Sequence, residues 1–137
     1  MKFVRETREG TDFLRLCDND GGYHYNLGYY SINRWVDDNR IVLGRSKELY
    51  QWAGAEVVLV DLKAETETVI ITDSNSSESL VFGELVYYMR GLDLICYSIA
   101  SGEKKVVMAG AEHGADENIR PAFPQDRKST RLNSSHA

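Results

Sequence analysis

The chain has 137 residues, 42% of them hydrophobic, with 16 basic against 21 acidic side chains and a formal charge of −5. That apolar content is enough for one packed domain and excludes a disordered chain. The acidic balance, spread without a basic stripe, argues against a nucleic-acid partner, and no apolar run is long enough to span a bilayer.

The first ten residues, MKFVRETREG, are charged rather than signal-like, so the expected compartment is the cytoplasm. Met1 to Gly10 carries only a weak strand or coil signal. Phe13 to Asp18, FLRLCD, alternates apolar and polar positions as a half-buried strand does. Leu14 to Asp18 aligns without gaps on Val69 to Asp73 after a shift of 55 residues, so the chain opens on the last strand of a repeat. Cys17 and Cys96 are too few for a disulfide framework or a zinc cluster and are expected to be buried small hydrophobes.

Asn19 to Gly22 reads as a loop, and His24 to Trp35 as an aromatic segment of β-forming residues without helical period. Asp37, Asp38 and Asn39 make a turn before the apolar strand Arg40 to Gly44. A longer connection, Arg45 to Ala55, leads to the strand Val57 to Leu62, a polar turn, and the strand Thr68 to Ile71. After the loop Asp73 to Glu78 come short strands at Ser79 to Phe82 and Leu85 to Met89. Leu94 to Ile99 and Lys104 to Met108 then form a second hairpin that copies the first. Beyond Gly110 the pattern dissolves, and helix is expected only as a short turn within 47–54 or 112–119.

Each unit therefore reads as four short strands joined by tight turns over about 37 to 55 residues, the size of a β-propeller blade. The expected fold is all-β: an incomplete β-propeller of about two four-stranded blades plus an edge strand. Such a piece leaves sheet edges open, and the chain made alone is expected to be poorly stable or to aggregate. The final stretch, DRKSTRLNSSH from Asp126 to His136, reads as the in-frame translation of a sequencing-library adapter. Residues 1–125 are thus expected to carry the blades and 126–137 to be a non-native, disordered tail.

In a four-strand blade, the loop between blades and the loop between the second and third strands emerge on one rim. This puts His24, Arg45 and Arg90 forward as substrate-binding candidates. A histidine titrates near neutral pH, and an arginine fork can clamp a carboxylate. Each also has a bland reading: His24 as a structural member of an aromatic run, the arginines as solvated turn residues. Tyr23, Tyr25, Tyr29 and Tyr30 suit either sugar stacking or inter-blade packing. Asp61 and Asp73, at strand ends, are expected to satisfy turn amides. His113 with Glu112 and Asp116 is a weak metal signal. No catalytic residue is assigned, and the sequence holds no GxSxG, CxxC, HxH or HExxH pattern.

The stretch GxxFLRLCD followed by GYHYNLGYYSINRWVDDNRIVLGRS, Gly22 to Ser46, resembles the N-terminal section of oligogalacturonate lyases. The later VLVDL and IASGE stretches are similar to blade repeats shared by that family and by TolB-like propellers. Cys17 stands where the family usually has threonine, and its paired histidines are reduced to His24. The resemblance implies a seven-bladed, manganese-dependent enzyme that cleaves a small acidic oligosaccharide by β-elimination. Its catalytic base and metal site would lie downstream, leaving this piece inactive by itself. A non-catalytic TolB-like propeller that binds a protein or glycan is the alternative.

Overall fold

The computed structural model describes residues 1–17, 22–27, 32–48, 55–75 and 78–114. Among these residues ten strands account for the regular structure: β1 (Lys2–Arg8), β2 (Thr11–Cys17), β3 (His24–Asn26), β4 (Arg40–Ser46), β5 (Glu56–Asp61), β6 (Thr66–Ile71), β7 (Leu80–Phe82), β8 (Leu85–Arg90), β9 (Asp93–Ser98) and β10 (Lys104–Met108). They make a two-stranded hairpin, β1-β2, and two four-stranded antiparallel sheets in chain order, β3-β4-β5-β6 and β7-β8-β9-β10. The fold is all-β. Among the described residues the only helical turn is a 3₁₀ turn at Gly110–His113, and no helix is long and apolar enough to cross a membrane.

The two sheets are copies of one unit. Shifting by 37 residues lays Val58 on Ile95, Val60 on Tyr97 and Asp61 on Ser98, and the two hairpins then agree in three details. Each has a four-residue turn, and the last residue of each turn is left-handed, Glu65 at φ 56° and Gly102 at φ 75°. The first strand of each turn supplies a cap: Asp61 Oδ1 accepts from the amides of Lys63 and Ala64, and Ser98 Oγ from that of Ser101. Finally, each return strand bulges at the equivalent residue, Ile70 between the Ile71 and Val69 pairings and Val107 between those of Met108 and Val106. A bulge inserts one residue and sharpens the local twist, so its recurrence fixes the register of both sheets.

The hairpin β1-β2 departs from this unit. Val69 does align on Leu14, but the turn holds two residues, Glu9 and Gly10, both left-handed, which is type I′ chemistry. Lys2–Arg8 is a full strand where only a weak signal was legible. Its partner is more exposed than alternation implied, with Phe13 at 50% and Leu16 at 36%.

The layers stack as hairpin, first sheet, second sheet. Strand residues alternate between faces, so Ile41, Leu43, Val58 and Val60 share one side of the first sheet, where Met1, Phe3 and Tyr25 pack on them. Val42, Val57 and Ile71 serve the opposite side and form one core with Val81, Val86, Tyr88 and Ile95 of the second sheet. All seven are fully buried, and each aliphatic side chain in that layer contributes about 1.5–3 kcal/mol by leaving water. Polar links flank this core. Arg34, just before β4, donates from Nη1 to Ser79 Oγ at 2.7 Å, Asn33 Nδ2 to the Val81 carbonyl at 3.0 Å, and Arg40 pairs with Glu84 in the β7-β8 turn.

Other expectations are corrected in detail. Among its described residues, the aromatic segment yields the three residues of β3 and a single bridge from Trp35 to Ile41. Trp35 is thereby the counterpart of Val81, which pairs with Val86. The cysteines are free but half-buried rather than buried. The tail at 126–137, residues 49–54 of the stretch 47–54 where a helical turn was expected, and Tyr29, Tyr30 and Asp116 lie outside the described residues.

Candidate functional site

The three candidate side chains stand at one end of the sheets, on different faces. Tyr25 pairs with Arg45 and His24 with Ser46, so alternation turns His24 away from the Tyr25 and Arg45 side, and it is exposed. Arg45 pairs with Glu56 near the end of β4, and Arg90 pairs with Asp93 at the end of β8. These are equivalent positions in the two sheets, so the repeat places one arginine per unit on the same rim.

Their surroundings differ. Arg45 reaches across its sheet to Glu67, Nη1 to Oε1 at 2.7 Å, and to Glu56 at 3.3 Å, beneath the ring of Tyr23, whose centroid lies 4.1 Å from Cζ. Glu67 also accepts from Tyr25 Oη at 2.8 Å and pairs with the Met1 ammonium at 2.6 Å. Burial alone would raise the Glu67 carboxyl; the ammonium, the Tyr25 hydroxyl and Arg45 outweigh it and hold the group below the usual carboxylate range. Burial likewise opposes the charge on Arg45, but the bonds to Glu67 and Glu56 leave its pKa above the ordinary value. Tyr25 is pushed up by burial and by the same carboxylate. Arg45 is therefore held inside a network with Glu56, Glu67, Tyr25 and Met1 between the hairpin and the first sheet, with its fork already engaged by protein carboxylates.

Arg90 is in the more open setting. Its side chain is 41% exposed and makes one long contact, Nη1 to Asp73 Oδ2 at 3.5 Å. Asp73 takes two stronger bonds, from Tyr88 Oη at 2.8 Å and from Lys104 Nζ at 3.1 Å. Burial raises the Asp73 carboxyl, and those bonds more than offset it, so its pKa lies below the ordinary value. The Tyr88 phenol, desolvated and beside that carboxylate, is pushed up. Asp73 thus joins the two sheets, its carboxylate also taking a backbone hydrogen bond at Asp73 itself, while Asp61 caps its turn. Next to it, Asn75 closes the rim: its side chain donates to the Gly91 carbonyl at 2.6 Å and accepts from the Gly91 amide at 2.7 Å.

Arg90 and Lys104 converge on one carboxylate, each with part of its donor set toward solvent, and that arrangement is able to take a second anionic group. His113 sits in the exposed 3₁₀ turn beside Glu112, and the described residues contain no group of three or more His, Cys, Asp or Glu that could hold a metal ion. The metal expected from the resemblance therefore has no donor set among them.

Sequence reasoning overlooked Glu67, Lys104 and Arg34. Glu67 had a usable signal, since it stands two residues from Val69 and so faces the same side in a period-two strand. Lys104 occupies the matching position in β10. Arg34 had none, because nothing local marks an arginine between Asn33 and Trp35 as 3% exposed.

Comparison with family models, with curated protein sequences and with solved structures gives no match to this chain.

Proposed function

We propose that the two sheets are consecutive blades of a β-propeller and that the rim carrying Arg90 recognises the carboxylate of a small acidic oligosaccharide. The observation that carries the reading is the repeat itself. Two four-stranded antiparallel meanders with one bulge and one turn pattern stack face to face and present an arginine at the same rim position. Together with the sequence resemblance, this favours an oligogalacturonate lyase-like protein that breaks a uronate glycosidic linkage by β-elimination. In that chemistry a base removes the proton on C5 while cationic groups stabilise charge on the adjacent carboxylate. Arg90, assisted by Lys104, would hold that carboxylate; no base or metal is assigned to this chain, which by itself is inactive.

A second reading, a non-catalytic TolB-like propeller that binds a protein or glycan, is favoured by one observation. Arg45, the repeat counterpart of Arg90, is consumed by Glu56 and Glu67. Titration of the chain with digalacturonate tests recognition: saturable binding lost in Arg90→Gln supports the first reading, and absence of binding to any uronate removes it. An absorbance assay for unsaturated product on a polypeptide carrying further repeats, with manganese, separates lyase from binding module.

A further inference from the structure

The β1-β2 hairpin rests on the first sheet through few groups. Among the described residues no backbone hydrogen bond joins the two, and the polar links are two ion pairs. The pair of Arg5 with Glu65, at 3.0 Å, is exposed on both sides, and a pair in that setting holds little. The other joins the Met1 α-ammonium to Glu67 Oε2 at 2.6 Å, and there the Met1 side chain is 2% exposed and that of Glu67 8%.

This second pair is built into the apolar contact. Met1 and Phe3 are the hairpin side chains that pack on Ile41, Leu43, Val58 and Val60, and Glu67, opposite Val60 in the sheet, stands on the same face. Burial raises the Glu67 carboxyl, and of the groups that reverse this the ammonium stands first, ahead of Tyr25 and Arg45. The nitrogen docks there as an unsubstituted cation. An acyl group on it, or a peptide bond to a preceding residue, removes the charge and brings a carbonyl oxygen against a carboxylate that lies 2.6 Å from the nitrogen. Glu67 then keeps its burial and loses the strongest of its partners, a change that is costly for a buried ion.

We propose that the α-amino group of Met1 is a modification-sensitive latch. Free, it docks the hairpin on the first sheet; acylated, it releases the hairpin and uncovers the face of Ile41, Leu43, Val58 and Val60. The reagent class is an acyl thioester. The ammonium gives one proton to water, the nitrogen bonds to the acyl carbon, the carbon–sulfur bond breaks, and the thiol leaves with a second proton. Since the docked amine is buried, the group is added while the hairpin is open. The latch exists in a polypeptide whose first residue is Met1, whether or not the sheets are propeller blades.

Cys17 allows the full chain to be assembled by ligating a synthetic thioester of residues 1–16 to residues 17–137, with Met1 free, N-acetylated or lacking its amine. Tryptic cleavage after Arg5 and Arg8, read by mass spectrometry on chains with the same far-UV CD spectrum, reports hairpin release. The expected result is cleavage about tenfold faster or more in the acetylated and amine-free chains than in the free-amine chain. Glu65→Gln, which breaks only the exposed pair, should leave the rate within about twofold. In Glu67→Gln the free-amine chain should be cleaved as fast as the acetylated one, because the two changes remove the same bond. Should Glu67→Gln lose its CD spectrum, the amine-free chain, which keeps Glu67 and adds no bulk, carries the comparison. Equal cleavage of the free and acetylated chains, an acceleration by acetylation that the amine-free chain lacks, or an undiminished effect of acetylation in Glu67→Gln overturns the proposal.

Discussion

Arg34 Nη1 lies 2.7 Å from Ser79 Oγ and 3.2 Å from the Ser79 carbonyl oxygen, joining the approach to the first sheet to the start of the second. Its Nε donates to the Leu27 carbonyl at 2.7 Å, so one buried guanidinium organises three segments. Burial pushes its pKa down to about 10, against the opposing effect of Glu78. Arg34→Met removes the donors and leaves buried oxygens unpaired, and is expected to cost about 3 kcal/mol or more in urea unfolding. Ser79→Ala keeps the guanidinium bond to the backbone and should cost about 1 kcal/mol.

The left-handed turn residues test the repeat with opposite signs. Glu65→Gly relieves a side chain at φ 56° and is expected to stabilise by about 0.5–1 kcal/mol, since its pair with Arg5 is largely exposed. Gly102→Val, at the equivalent position with φ 75°, should destabilise by about 1–2 kcal/mol. Thermal melts of the two variants measured together read the contrast.

Acid lability follows from Glu67 and Asp73. Both carboxyls sit below their ordinary values, 4.5 and 3.8, in the folded chain. A depressed folded pKa means the unfolded chain binds protons first, so the stabilisation is complete above those ordinary values. It is lost as pH falls through the folded ones. Denaturant midpoints should therefore hold steady between pH 6 and 7 and drop below about pH 4.5. Glu67→Gln should flatten the upper part of that drop and lower stability at pH 7.

Tyr88→Phe isolates the inter-sheet carboxylate. It removes one donor to Asp73 while keeping the buried ring, and is expected to cost about 1 kcal/mol. If Arg90 recognises a uronate, the same change should leave ligand affinity within about threefold, whereas Arg90→Gln removes a charge-assisted fork.

The strands that alternate or run apolar were legible in the sequence, and so was the doubling of the Glu56 to Ile71 hairpin, because period-two patterning and turn residues are local signals. β3 and the Trp35 bridge were not, since the first strand of that sheet is split and aromatic residues mark β tendency without marking its ends. The rim placement of Arg45 and Arg90 came from repeat logic. The networks around them depend on Glu67, Asp73 and Lys104, long side chains whose partners are strands away. Cys17 and Cys96 were expected inside because small thiols usually are; they lie instead on the two outer faces of the stack.

The central claim is that two equivalent sheets share one core. Methyl-resolved NMR on the chain tests it most directly, through NOEs between Val42, Val57 or Ile71 of the first sheet and Val81, Val86 or Ile95 of the second. Cross-sheet NOEs among these methyls are the predicted result. Two well-ordered sheets with none between those sets would contradict it.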